Sequence, residues 1–440
     1  MPNDPSREQT VAGQVVAGAS APQYAAEQLV ATPAERDILR RLAGQVAALA
    51  TRPEEAEKAR LWTRHNDLQA ERPLVFIDPE NGWNEIITQD QLQCRSLLLR
   101  TWEMALRKEI HWGTVLRDDR VIEPFFNVPY VYADTGWGLI ETQIRTEMPG
   151  GSYTWDYPLK DYDRDWAGLH FPEIIIDQGR THAVVALAQE LIGDILTVRL
   201  RGVWWWSLGM TADFIRLRGL ENLMLDMYDH PEGVHRLMAF LRDGYLHKLD
   251  WLEAEGLLSL NTGGAYVGSG GFGWTTQLPQ PDYAGQVRAI DMWGFTESQE
   301  TVGVSPKLFA EFIFPYQRTI AERFGLNCYG CCEPVDGRWQ VIRDLPRLRR
   351  VSVSPWASVP RMREYLGQDY ILSRKPSPTP LAMPVLDEDS VRAAIRQDLE
   401  DARGTVLELI MKDNHTLGNN PRNAERWVAI VREEIDHCWR

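Results

Sequence analysis

The chain has 440 residues, 44% hydrophobic and 10% aromatic, enough for one large core or two to three smaller ones. Its 47 Lys and Arg against 62 Asp and Glu leave a net charge of −15, which argues against a general nucleic-acid surface, because phosphate binding needs a concentrated positive field. No run approaches the ~18 apolar residues of a membrane span, and five cysteines, three of them within NCYGCCEPVDGRW (327–339), suit a reducing cytoplasm better than a disulfide framework.

Residues 1 to about 30 carry prolines, small residues and scattered charges, without a basic start and an apolar core. They read as a loose arm, free or packed on a neighbouring subunit, and not as a signal peptide. Helix formers then run from Thr32 to Leu68, with a break at Pro53. Arm and helical extension (1–70) thus precede a main domain (71–440), which opens with PLVFI (73–77) as its first buried strand. Residues 80 to 200 mix short alternating runs with turn residues and give no clear elements.

In VWWWSLGM (203–210) a strand would put Trp204 and Trp206 on one face and Trp205 on the other. Core packing is the default there; the alternative is an aromatic wall for a flat ligand, with Trp205 binding substrate. GGAYVGSGGFGW (263–274) lacks phosphate-loop or dinucleotide spacing and reads as a flexible lid. In GFTESQETVGVSP (294–306), Glu297 and Gln299 alternate at a strand end, so one of them can face a site, while Glu300 reads as a helix-capping carboxylate. The next helix starts at Ser305 and Pro306, ends at Gly325, and should kink or split at Pro315.

Four strand-then-helix units follow: LNCY with GRWQVIRDL, RRVSVS with SVPRMREYLG, DYILS with DEDSVRAAIRQDLEDARG, and TVLELIM with NPRNAERWVAIVREEIDHCW. Such units mean parallel strands with right-handed crossovers. They predict an α/β fold, a (β/α)8 TIM-type barrel with an N-terminal helical extension; a doubly wound open sheet is the alternative. Chemistry in such barrels sits on the loops after the strands, here Tyr329 to Glu333, Ser354, Arg374 with Lys375, and Asp413 to His415. Cys331, Glu297, Arg374 and His415 are therefore expected around one cavity.

Thiolates are strong zinc ligands, and a catalytic zinc site needs three protein ligands, so Cys331, Cys332 and His415 are the metal candidates. The competing reading is that the thiols are small buried hydrophobes, and Cys328 is expected to point back between strand and helices. DNHTLG (413–418) spells the D-x-H-x-x-G corrinoid motif, but too few residues follow it for the domain that motif requires. The spelling is read as accidental, and His415 stays a ligand or acid–base candidate.

WWWSLGMTADFIRLRGLENLMLDMYDHPEGVHRLM, VGVSPKLFAEFIFPYQRTIAERFG and MKDNHTLGNNPRNAERW, in this order, resemble segments of the uroporphyrinogen decarboxylase superfamily, over roughly residues 75 to 440. The resemblance implies a (β/α)8 barrel. The arginine-rich string with which true uroporphyrinogen decarboxylases grip their substrate does not occur here. The superfamily's methyltransferases carry H-x-C after one strand and a further cysteine after a later one. Aligned here, these become Tyr329-Gly330-Cys331 and a position near His415.

The function this implies is zinc-dependent transfer of a methyl group from a small O-, S- or N-methyl substrate to a corrinoid carried by a separate protein, with Glu297 or Glu333 completing the metal set. The alternative is a metal-free decarboxylase or lyase. There Glu297, Tyr329, Glu333, Asp413 and His415 supply acid–base groups, and Arg374, with Lys375 and Gln299, binds the substrate. A non-catalytic subunit binding a corrinoid protein or tetrapyrrole is the third reading, and a homodimer is compatible with each.

Overall fold

The computed structural model describes residues 29–145 and 153–439, so most of the expected arm lies outside the described residues. In chain order the described strands are β1 (Leu74–Ile77), β2 (Phe125–Pro129), β3 (Tyr132–Asp134), β4 (Thr142–Arg145), β5 (Tyr153–Asp156), β6 (Ile174–Ile176), β7 (Thr197–Arg201), β8 (Trp293–Thr296), β9 (Leu326–Tyr329), β10 (Leu348–Val353), β11 (Ile371–Arg374) and β12 (Val406–Met411). Six of them form one sheet in the order β1-β12-β11-β10-β9-β8, every neighbouring pair parallel. A second parallel pair joins β2 to β7. Two short antiparallel pairs, β3 with β6 and β4 with β5, occupy the stretch that the sequence left unparsed.

Parallel strands covered on both sides should be apolar throughout, and every residue of β1, β8, β9 and β12 is buried. Helices supply the cover on one side. Between β8 and β9 the expected split occurs: Pro306–Phe312 and Phe314–Ala321 meet at Ile313, because Pro315 lacks the N–H that would continue one helix. The remaining three crossovers run through Trp339–Ile342, Val359–Leu366 and Glu388–Asp401, and Arg422–Cys438 packs on β1.

The outer edges of the six-stranded sheet are bonded by the chain just before β2 and just after β7. Beside β1, Asp119 N–H donates to the Val75 carbonyl at 2.8 Å, while Val75 and Ile77 N–H donate to the Asp119 and Asp118 carboxylates. Beside β8, Leu208 N–H donates to the Phe295 carbonyl at 2.9 Å.

The amino-terminal helices Pro33–Ala50 and Pro53–Asn66 are part of this core. The first carries a Thr32–Glu35 capping box and packs against the helix Leu97–His111. The second ends beneath the sheet, where Asn66 Nδ2 donates to the Phe272 and Trp274 carbonyls and His65 Nε2 lies 3.2 Å from Glu408 Oε2.

The sheet face opposite the helices is polar as well as buried. Arg350 Nε stands 3.0 Å from Glu408 Oε1, Ser373 Oγ donates to the same carboxylate, and Lys375 Nζ donates to Ser373 Oγ at 2.5 Å. Burial opposes a charge on Glu408, but Arg350 and His65 overcome it and hold its carboxyl down at about 2.

The glycine-rich stretch 263–274 is not a lid. Residues 267–273 are buried, and Val267 to Gly271 lie against this polar face. A Cβ on Gly271, whose φ is +127°, would stand 2.9 Å from Arg350 Cζ and 3.0 Å from Glu408 Oε1. Only a glycine brings backbone that close to the ion pair in that conformation.

Candidate active site

Beyond the carboxyl ends of β7, β8, β9 and β12 lies a cavity of about 240 Å³, lined by Trp204 to Ser207, Glu297, Gln299, Glu300, Cys331, Cys332, Lys412 and Asp413, and by Asp213, Arg216, Tyr245 and Lys248 from two helices. Each strand ends one to three residues before its contribution begins, which is why functional groups from distant sequence positions meet here.

Glu297 is the most constrained of them. Its Oε1 accepts from Ser207 Oγ at 3.0 Å, and its Oε2 from Gln299 N–H at 3.0 Å. Gln317 Nε2 ties the Glu297 carbonyl (2.8 Å) to the Gly209 carbonyl (2.9 Å). Burial pushes the Glu297 carboxyl well above its ordinary range, and Glu300, Glu333 and Cys331 nearby add to the shift. The Glu297 carboxyl therefore keeps its proton above the usual carboxylate range. Glu300 is not the expected helix cap: it lines the cavity, accepts from Thr211 Oγ1 at 2.7 Å, and burial raises it too.

Cys331 is buried at the floor. Its Sγ is 3.6 Å from Cys332 Sγ, 3.5 Å from Ser269 Oγ and 3.9 Å from Lys412 Nζ. The bond to Cys332 and then burial raise the Cys331 thiol. Burial alone would lower the Lys412 ammonium, but Cys331, Tyr266, Asp413 and Glu80 around it hold it well above its ordinary range.

Several expected residues stand elsewhere. Tyr329 points to the helix side, where its hydroxyl meets Ser298 Oγ at 2.6 Å and Gln317. Glu333 is buried behind the cavity and accepts the N–H groups of Ser298 and Cys331 at 2.9 and 2.8 Å, so it fixes the ends of β8 and β9. Arg374 also turns to the helices, bonding Asp398 at 2.9 Å and the Ser354 carbonyl at 2.7 Å. Strand alternation explains this: Ser373 and Lys375 take the inner face, leaving Arg374 outside. Lys375 lies below the cavity, buried, and burial lowers it to about 7.

His415 is exposed. Asp413 has a positive φ of 62° and Asn414 is tied to the Asp78 carbonyl at 2.7 Å, so the chain turns away before the histidine. Cys328 faces the sheet's polar face, not the helices, with Arg350 Nη1 3.6 Å from its sulfur. Trp204 to Trp206 follow the end of β7 and are not in a strand, so alternation does not apply and all three line the cavity.

The metal set therefore does not fit. Among the described residues no three His, Cys, Asp or Glu side chains group around a point that would hold an ion. A lysine ammonium stands beside Cys331, and the only histidine expected there points to solvent.

Sequence reasoning missed Lys412, Arg216 and Ser269. Lys412 was legible, since it directly follows TVLELIM at a strand end. Arg216 sits on the helix Thr211–Arg218, and Ser269 arrives from the buried glycine-rich segment. Neither has a local signal.

No protein-family model matches the chain, and no curated protein matches it. Among solved structures, a methyltransferase from Methanosarcina mazei is similar, with a TM-score of 0.50 at 13% identity, covering 87% of this chain and 98% of that one. At that identity the likeness is one of fold.

Proposed function

We propose that the chain is an enzyme of methyltransferase type that moves a methyl group from a small O-, S- or N-methyl substrate held in the cavity. The observation that carries this reading is Glu297: a buried carboxyl, raised above its ordinary range and held at both oxygens, on the wall of a cavity floored by Lys412 and Cys331. The fold likeness to a methyltransferase supports it. We read the six-stranded sheet and the β2–β7 pair as one closed eight-stranded barrel, in keeping with the backbone bonds from β1 and β8 to the segments that flank that pair.

The chemistry follows from these groups. A nucleophilic acceptor forms a bond to the methyl carbon; the bond from carbon to the heteroatom breaks, and its electron pair goes to the heteroatom. Glu297 gives its proton to that atom, and the Lys412 ammonium stabilises the negative charge that develops there. Glu297 then regains a proton from solvent. Following the resemblance, the acceptor is a corrinoid carried by a separate protein. Exposed apolar residues beyond the strand ends, among them Val302, Trp356 and Met383, suit a docking partner of that kind. This reading routes no step through zinc, since Lys412 stands beside Cys331 and His415 is exposed.

The test is a panel of small methyl ethers, thioethers and methylamines with free reduced cobalamin as acceptor, read as methylcobalamin formation. The wild type should turn over at least one class, and Glu297→Gln should lose about 10²-fold or more of that rate. Carbon dioxide release from a carboxylate panel, with no methyl transfer, would establish the decarboxylase alternative instead.

A further inference from the structure

Arg216 is the cation of the cavity left without a direct bonding partner among the described residues. It lies half-buried on the wall, and among the described residues it makes no hydrogen bond or ion pair. The other cations there are engaged: Lys412 Nζ is 3.4 Å from Asp413 Oδ1, and Lys248 Nζ is 2.7 Å from Asp134 Oδ2. The carboxyl nearest in sequence, Asp213, one helical turn before Arg216, is not bonded to it: it takes the Tyr245 hydroxyl at 2.5 Å, and burial raises it although Tyr245 and Arg216 pull the other way. A guanidinium left open in a cavity is suited to a planar two-oxygen anion, which it binds through two parallel N–H bonds.

The rest of the cavity narrows the anion further. Trp204, Trp205 and Trp206 give it an aromatic wall, which favours a flat body. About 240 Å³ falls below the ~300 Å³ at which drug-sized sites begin, so the ligand is small. Asp413 also lines it, and a carboxylate there disfavours a dianion more than a monoanion.

We propose that Arg216 anchors the substrate by a carboxylate, and that the cavity takes small, flat monocarboxylates whose bodies lie against Trp204 to Trp206. The proposal names the substrate class of the site described above and rests on that reading for what happens after binding.

Calorimetric titration of the whole chain with benzoate, benzamide and phenyl phosphate tests it at neutral pH. Wild type should bind benzoate at least tenfold more tightly than benzamide, and phenyl phosphate more weakly than benzoate. Arg216→Gln should lose the tenfold preference while binding benzamide as wild type does, which also shows that the variant is folded; Arg216→Lys should recover part of it. Unchanged benzoate affinity in Arg216→Gln overturns the proposal. So does wild type that fails to bind benzoate, or fails to distinguish it from benzamide, and so does tighter binding of phenyl phosphate.

Binding is read here without turnover. Benzoate held through Arg216, with no methyl transfer from any methylated carboxylate, overturns the methyltransferase reading and leaves this one standing. Methyl transfer from substrates lacking a carboxylate, undiminished in Arg216→Gln, does the reverse.

Discussion

Lys412 Nζ and Cys331 Sγ stand 3.9 Å apart, both side chains buried on the cavity floor. An ammonium at that distance from a sulfur occupies space a divalent ion would need and repels its charge. Protein expressed with added zinc should accordingly carry far less than one zinc per chain by elemental analysis. One full equivalent, lost on replacing Cys331 by alanine, would return the metal reading to this site.

Glu297 sets the alkaline limb of the rate. Its folded carboxyl is raised, mainly by burial, so the acid form persists above the usual carboxylate range and is lost as pH climbs through that raised value. The rate should therefore be highest at low to neutral pH and fall on the alkaline side. Glu297→Gln should remove that limb along with most of the activity. A wild-type rate that rises steadily with pH would mean that Glu297 acts as a base.

Lys375 carries the opposite sign in a stability profile. Burial lowers its folded pKa to about 7, while the unfolded chain titrates near 10.4. Between those values the unfolded state binds more protons, so stability contributed at this position increases with pH. The slope is at most about 1.4 kcal/mol per pH unit. Urea melts of wild type and Lys375→Met from pH 6 to 9 should show the variant's relative advantage shrinking as pH rises. Parallel profiles would refute the shift.

Gly209 and Gly44 make a matched pair. A Cβ at 209 would fall 2.1 Å from the Glu297 carbonyl oxygen, whereas one at 44, inside Pro33–Ala50, meets nothing within 4 Å. Gly209→Ala should destabilise by about 1–3 kcal/mol, as overpacking does, and should lower activity by displacing Glu297. Gly44→Ala should stabilise by about 0.5–1 kcal/mol through helix propensity. Thermal melts read both, and a neutral Gly209→Ala would show that the loop is freer than its bonds suggest.

How legible the chain was depends on distance along it. The units from Leu326 onward declared themselves because each strand, turn and helix is made by neighbours, with caps and prolines at the ends. Cys331 and Glu297 could be placed near a mouth by the strand-end rule alone. What failed were the directions of side chains at, or just past, the end of a strand. Tyr329 and Arg374 alternate outward, and Asp413 bends the chain so that His415 leaves the site. The region from 80 to 200 hid its short antiparallel pairs because their partners lie up to some forty residues apart, as with Tyr132 and Ile176. Arg216 and Ser269 acquire meaning only through tertiary contacts, which no spacing encodes.

An engineer looking for a place to cut the chain, splice in a reporter or open new termini would choose GGAYVGSGGFGW on composition, as the most linker-like stretch it has. The fold makes it the opposite. Its carbonyls at Phe272 and Trp274 hold Asn66, and its tip puts Ser269 against Cys331, so an insertion there pushes on the amino-terminal helices and the cavity floor together. Permuted or tagged versions should break the chain in exposed turns instead, because the glycines at 268, 270 and 271 serve as filling and not as slack.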